Sequence, residues 1–243
     1  MTHSDLAALR GEPSYVWRAG QERRLKMIAR WARLEQARVL DCVAGVGMYA
    51  SQIQRRYAAH VELFDIEIER MTEARAESPH ATVADAEAMP YPTGYFDTLI
   101  SNEVLEHVND DRAAMIEMLR VMKPGGRAVI FVPNRWYPFE THGHYRNGEY
   151  HFGNTPLINY LPDRWRNQLA PHVRAYTRRG LMRLVKGLPA TVVHHERIYG
   201  GYDNLIARLG RPMKVMRDAL YVLEDTPFDT WGLSHLLIVE KRR

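Results

Sequence analysis

The stretch Val39-Leu40-Asp41-Cys42-Val43-Ala44-Gly45-Val46-Gly47-Met48-Tyr49-Ala50 most narrows what this chain can fold into. It reads as a short buried strand that ends in a glycine turn and runs into a helix. Such a turn brings backbone N–H groups and a helix N-terminus against a ligand with no side chain between them. Gly45 to Ala50 fits the spacing G-x-G-x-x-G/A, and Asp65 lies about 20 residues on, where a ribose-binding carboxylate is expected. A nucleotide-like ligand follows, with NAD one candidate and glycines kept only for tight packing the plain alternative. Asp41 bears on the choice. A carboxylate at the strand end opposes a pyrophosphate and suits a cation or hydroxyls. A ligand with a sulfonium and an amino acid tail fits it better.

Strand and helix patterns alternate after the turn. Strands read at 38–43, 60–65, 81–84, 96–101 and Ala128–Val132, the last stopped by Pro133, with further strands at 191–198 and 234–240. Helical spacing of Leu25, Ile28, Ala29 and Ala32 predicts a helix over 18–35. A second helix follows Gly47, and a third covers about 68–77, before Pro79. Asn109-Asp110-Asp111 is an acidic helix start. Met115, Met118, Leu119 and Met122 form that helix's buried stripe, with Gly125-Gly126 as its end. Residues 181–187 read as a short helix. This order predicts an α/β, Rossmann-like, doubly wound and mostly parallel seven-stranded sheet. Ligands in such sheets sit beyond the C-terminal strand ends, at the topological switch point. Gly45, Asp65, Asp85 and Asn102 all fall at such ends.

Several of these segments resemble the class I S-adenosylmethionine (SAM) methyltransferases. Val39 to Gly47 is similar to the family's first motif, and Asp65 to its ribose-binding acid. Ala84-Asp85-Ala86-Glu87-Ala88-Met89-Pro90-Tyr91-Pro92 resembles its adenine-binding turn. Phe96 to Val108 resembles its fourth strand and following turn, and Leu119 to Arg127 the approach to its fifth strand. The likeness covers about residues 37–133 and is nearest to the branch with ubiquinone- and menaquinone-biosynthesis methyltransferases. Val43 departs from it, standing where the family usually has glycine. The resemblance implies SAM as cofactor, S-adenosylhomocysteine as product and an antiparallel last strand. It implies that Gly45 and Gly47 lie along the methionine part and that Asp41 faces its amino or sulfonium region. Asp65 takes the ribose hydroxyls, with Ile66 beside it. Asp85 and the Ala86 backbone take the adenine. Asn102 and Glu103 line the floor near the methyl.

The expected organisation is one domain: an N-terminal helical segment (1–36), the cofactor-binding core (37–133), an insertion after strand five forming a cap (134–180) and the rest of the sheet (181–243). Prolines, aromatics and histidines crowd the insertion. His142 and His144 are candidate general bases there. His107, one helical turn from Glu103, is a weaker candidate that reads equally as a structural residue. Tyr15, Trp17, Asn134, Tyr137 and Tyr145 are candidate acceptor contacts, with Trp17 equally a staple for the first helix. Zinc on His142, His144 and His151 fits no standard spacing, so no metal is expected. Arg164, Arg166, Arg174, Arg178, Arg179, Arg183 and Lys186 read first as a solvated basic surface. They also suit an acidic acceptor or an anionic membrane surface.

The composition sets outer bounds. Charged residues make up 26% of 243, the net charge is +4, and no apolar run has membrane-spanning length. Met1-Thr2-His3-Ser4-Asp5 does not open a secretory signal. The single cysteine, Cys42, is expected as buried filler. These features predict a cytoplasmic methyltransferase acting on a small-molecule or lipid-like acceptor, with O-methylation favoured. Nucleic acid ranks behind small molecules, because the charge is modest and Ser101-Asn102-Glu103-Val104 lacks the Asn/Asp-Pro-Pro-aromatic pattern of many base-amino methyltransferases. An NAD-dependent oxidoreductase and a non-catalytic SAM-binding regulator are the remaining alternatives.

Overall fold

A computed structural model describes residues 16–76 and 78–243; Tyr15 lies outside the described residues. One seven-stranded sheet organises the chain. Its strands are β1 (Arg38–Cys42), β2 (His60–Asp65), β3 (Ala81–Val83), β4 (Phe96–Asn102), β5 (Met122–Pro133), β10 (Ala190–Ile198) and β11 (Ser234–Lys241). Their order is β10-β11-β5-β4-β1-β2-β3. The five strands from β3 to β5 are parallel, and β11 runs antiparallel to both of its neighbours. The chain leaves the sheet edge at β3 and returns on the other side of β1 as β4, so the switch point lies between β1 and β4.

Helices cover both faces because each inner strand carries apolar residues on both. On one face Val39, Ile100, Val129 and Phe131 pack with Leu25 and Ile28 of α1 (Ala19–Trp31) and with Ala50 and Ile53 of α2 (Met48–Tyr57). On the other, Leu40, Cys42, Leu99 and Ile130 pack with Met115, Met118 and Leu119 of α4 (Asp111–Val121). This period-2 split places neighbouring residues of one strand in two separate cores. Cys42 is buried in the second, and burial drives its thiol far above the ordinary range, as filler requires.

Several helix boundaries differ from the sequence reading, among them the end of α3 (Ile68–Ala74), expected near residue 77. Helix α1 stops at Trp31, where Ala32 turns extended. Helix α4 begins as expected, with the Asp110 carboxylate accepting from the Arg112 and Ala113 N–H groups, but it ends at Val121 rather than at Gly125-Gly126. Pro124 disfavours helix at Lys123, so β5 starts at Met122, which pairs with Phe96. Gly126 lies within this strand because a Cβ there would meet the Asp97 carbonyl at 3.0 Å. The short helix near 181 runs over Arg178–Val185 (α6), capped by the Thr177 hydroxyl.

The segment after β5 folds as two small antiparallel pairs and a helix. Strands β6 (Phe139–Glu140) and β9 (Thr155–Pro156) form one pair, and β7 (His144–Arg146) and β8 (Glu149–His151) the other, followed by α5 (Asp163–Leu169). Two helices that patterning did not reveal, α7 (Asp203–Leu209) and α8 (Arg211–Val222), precede β11. Neither has a fully buried residue, although Met213, Met216 and Leu220 recur at helical spacing on α8. Among the described residues no helix is long and apolar enough to cross a membrane.

Candidate active site at the switch point

A cleft of about 860 Å³ opens over the C-terminal ends of β1, β2 and β4, within the range of small-molecule sites. Its floor is the glycine turn. Val43, Gly45 and Gly47 all take positive φ (50°, 56° and 77°). A Cβ on Gly47 would lie 3.2 Å from the Leu63 side chain, so glycine is needed there for space as well as for backbone angle. Val43 holds the same left-handed conformation with a β-branched side chain, which costs of order 1–3 kcal/mol. The rest of the structure imposes it: the Ala44 N–H donates to the Phe64 carbonyl and the Gly45 N–H to Asp65 Oδ2, at 2.9 and 3.1 Å.

Asp65 is fully buried and also accepts from the Glu67 N–H at 3.0 Å. Its carboxylate locks the glycine turn to the end of β2 and still has lone pairs to offer the cleft. Ile66 and Asp85 stand on the same wall, and the Asp85 carboxylate accepts from the Glu87 N–H at 2.8 Å. Asp41 is placed differently. It lies beneath the turn, buried, with Oδ2 unpartnered, and is not among the lining residues. Burial, with some repulsion from Asp65, pushes its carboxyl up to about 7.

The opposite end of the cleft is charged. Arg24, on α1, donates to Asn102 Oδ1 and to Glu103 Oε1, at 2.5 and 2.7 Å. Burial alone would raise the Glu103 carboxyl, but the Arg24 charge holds it down to about 2. Glu106, one turn on, is fully buried with no N–H or hydroxyl at either carboxyl oxygen; burial, then the Glu103 charge and hydrogen bond, pushes its acid well above the carboxylate range. His107 lines the cleft beside it. Burial and the nearby His142 hold that imidazole down to about 4, so it is neutral.

His142 reaches this group from the post-β5 segment. Its Nδ1 is 3.2 Å from Glu140 Oε1, and Glu140 Oε2 accepts from the buried Arg166 at 2.8 Å. An ionised carboxylate cannot donate, so His142 Nδ1 carries the proton and Nε2 the lone pair. Nε2 lies 4.0 Å from Glu106 Oε1, so His142 stands behind Glu106 and His107 and does not itself line the cleft. Asn167 and the run from Ala170 to Arg174 form the adjoining wall.

Other sequence candidates lie elsewhere. His144 is not a lining residue: Gly143, at φ 81° and too close to the His151 carbonyl to bear a Cβ, turns the chain so that His144 stacks on His151 and meets the Thr155 hydroxyl at 2.9 Å. The zinc set His142, His144, His151 is not assembled. Asn134 is buried and donates to the Thr230 and Gly232 carbonyls, a structural staple. Tyr137 packs on Phe139, and Tyr145 on Tyr150 and His172, behind the wall. Trp17 bonds Glu22 and meets Tyr49 edge-on, the staple role. Arg166 leaves the proposed basic surface for the interior, while Arg164, Arg178, Arg179, Arg183 and Lys186 stay exposed. Glu140 stood among the insertion's acceptor-site candidates, whereas Arg24, Glu106 and His172 help set the site's polar pattern without having been singled out as site residues. Their signal was a charged residue on a buried helix face at 24, and the i, i+3, i+4 grouping of Glu103, Glu106 and His107.

Comparison with known proteins agrees with this geometry. The profile of a methyltransferase domain matches residues 40–130. Over that stretch the chain resembles the class I SAM-dependent methyltransferases, nearest to the ubiquinone/menaquinone branch. The C-methyltransferase UbiE of Geobacter sulfurreducens is 36% identical over 111 residues, which is 42% of this chain and 43% of that protein. The biotin biosynthesis bifunctional protein BioHC of Cellvibrio japonicus is 34% identical over 102 residues, 41% of this chain and 20% of that protein. The chain thus spans less than half the length of these relatives. Among solved structures, a SAM-dependent methyltransferase from Mesorhizobium loti has a TM-score of 0.65 at 18% identity, covering 92% of this chain and 98% of its own. The cyclase SpnF has a TM-score of 0.62 at 18% identity, covering 93% and 83%. A fold shared with a cyclase does not by itself define a reaction.

Proposed function

We propose that this protein transfers the methyl group of SAM to a small-molecule acceptor, with oxygen the favoured acceptor atom. The observation that carries the reading is one continuous cleft, from a left-handed glycine turn at the switch point to a carboxyl and imidazole cluster. The residues present suit the cofactor. Gly45 and Gly47 let the backbone approach the methionine part, and Asp65 keeps acceptor capacity for ribose hydroxyls. Ile66 offers an apolar face for the adenine, and Asp85 with the Ala86 backbone its polar edge. Asn102 and Glu103, held by Arg24, sit near the sulfonium end, and the buried, unpartnered Asp41 and Tyr49 lie close by. The cofactor would supply an activated methyl on a positively charged sulfur.

The chain's own task is then alignment, exclusion of water and handling of one proton. His142 is assigned to the proton: Glu140 fixes its tautomer, and its free Nε2 points toward Glu106. Arg166 neutralises Glu140 from behind. The exposed arginines of 164–186 favour an acidic acceptor or an anionic lipid surface. His144, Tyr15, Tyr137 and Tyr145 are not given a role in the reaction.

Calorimetry with SAM, S-adenosylhomocysteine and NAD tests the cofactor. SAM and S-adenosylhomocysteine should bind and NAD should not; the reverse would make the protein an oxidoreductase. A screen of hydroxylated acceptors, following S-adenosylhomocysteine release, tests the reaction. His142→Ala should lose turnover and keep S-adenosylhomocysteine affinity. Full turnover in that variant would remove His142 from the mechanism. Steeply salt-dependent binding to RNA or DNA would redirect the acceptor assignment.

A further inference from the structure

The two histidines of the cluster are tethered in the same way. His142 Nδ1 faces the Glu140 carboxylate at 3.2 Å, and His107 Nδ1 faces the His172 carbonyl at 3.3 Å. Neither partner can donate, so each ring is held as the Nδ1–H tautomer with its Nε2 lone pair free. This is how metal-ligating histidines are oriented: the second ring nitrogen donates to a carboxylate or a backbone carbonyl. The third member, Glu106, is 1% exposed; no N–H or hydroxyl reaches either of its oxygens, and its hydrogen-bonding neighbour is the Glu103 carboxyl. Ligand atoms from Glu106, His107 and His142 all lie within 4.8 Å of one another. A point shared by the three is then at most about 2.8 Å from each. A small side-chain rotation reaches the 2.0–2.2 Å of a bound divalent ion.

We infer that Glu106, His107 and His142 bind a divalent first-row transition-metal ion whose remaining positions face the cleft and take oxygen atoms of a chelating acceptor. Two imidazoles and one carboxylate suit Zn²⁺, Mn²⁺ or Fe²⁺, and three protein ligands leave coordination positions open. The surroundings agree in geometry. Glu140 orients His142 from behind, with its charge offset by Arg166 as that of Glu103 is by Arg24. A cation between the three groups would relieve the like-charge contact of an ionised Glu106 with Glu103. With the ion bound, His142 acts as a ligand rather than as a free base, and the substrate class narrows to acceptors with two neighbouring oxygens, such as vicinal diols or catechols.

The acceptor half of this inference rests on the methyl-transfer reading; the metal half does not. Protein stripped with a chelator is titrated with ZnSO₄ and with MnCl₂ by calorimetry. One ion should bind per chain, and His107→Ala or His142→Ala should weaken it at least about 100-fold. Glu140→Gln combined with Arg166→Met, which removes the orienting carboxylate without leaving the buried guanidinium unpaired, should weaken it about 10–100-fold. His144→Ala should leave it unchanged. Circular dichroism confirms that each variant is folded. Glu106→Gln provides a check that does not depend on alanine variants folding: being nearly isosteric, it should keep the fold and lose the rise in melting temperature that the ion gives the wild type. No stoichiometric ion, or an affinity unchanged in His107→Ala and His142→Ala, would overturn the inference. Metal binding without S-adenosylhomocysteine binding would refute methyl transfer and leave the metal site standing. S-adenosylhomocysteine binding without metal binding would do the opposite.

Discussion

Replacing Asp65 with asparagine separates two duties that one carboxylate performs. Asp65 is fully buried and accepts from two backbone N–H groups, Gly45 at 3.1 Å and Glu67 at 3.0 Å. An asparagine keeps one oxygen acceptor and turns an NH₂ toward the other donor. One buried N–H then loses its partner, at about 1–3 kcal/mol. In a chain of this size each kcal/mol moves the melting temperature by about 2–4 °C, so the unliganded variant should melt roughly 2–12 °C lower. The second duty is the proposed bond to ribose hydroxyls. Losing a hydrogen bond to a charged group costs about 1.5–3 kcal/mol, which is roughly a 10- to 150-fold loss of affinity. Scanning calorimetry reads the first effect, and titration with S-adenosylhomocysteine at a temperature well below melting reads the second. Lower stability with unchanged affinity would refute Asp65 as a ligand contact and leave it as a brace for the turn. Unchanged stability would refute the argument from the two N–H groups.

Other consequences are equally open to measurement. Arg166→Ala strands Glu140 in the interior and should cost about 3–5 kcal/mol in urea unfolding; adding Glu140→Gln should recover most of it, and a double variant as unstable as the single would contradict the pairing. His195 and His235 share a proton bridge of 2.9 Å that ends on the Tyr176 carbonyl. Burial, first of all, holds their imidazoles down to about 3 and about 4. Stability from the neutral pair is present above pH 6.5 and is lost as the pH falls toward 4 and then 3. His195→Gln should make that acid decline shallower in thermal melts, and an identical slope would count against the bridge. Asp41 has the opposite sign. Its folded value of about 7 lies above the ordinary 3.8, so its contribution is present below pH 4 and lost as the pH rises to 7. Asp41→Asn should therefore gain stability over the wild type at pH 8 and not at pH 4.

Much of the fold was legible in the residues. The strand ending at Cys42, the glycines at 45 and 47 and the acid at 65 each have a local cause, because backbone freedom, apolar alternation and strand-end carboxylates are short-range signals. Patterning failed where a neighbour overrode it. Gly125-Gly126 looked like a helix end but belongs to β5, because Pro124 had already sent the chain extended and Gly126 passes close to the Asp97 carbonyl. Helices α7 and α8 went unread although Met213, Met216 and Leu220 have helical spacing; neither buries a residue fully. Within the site, the approach of Gly45, Asp65 and Asp85 to one cleft could be read along the chain, while Asp41 beneath the turn and Gly47 within it do not line that cleft.

The acceptor end could not be read that way. His142 and His144 are two residues apart and equivalent as sequence, yet Gly143 turns one toward Glu106 and the other toward His151. Arg166 sits in an arginine-rich run that looks solvated, and only the interior position of Glu140 draws it inward. Spacing within one segment determined the cleft wall proposed for the cofactor, since the glycine turn, Asp65 and the Asp85 turn each follow their own strand. Which charges meet across the cleft was decided by tertiary structure alone. Arg24, Glu106, His142 and Arg166 come from four separate elements, and electrostatic pairing depends on distance through space rather than along the chain.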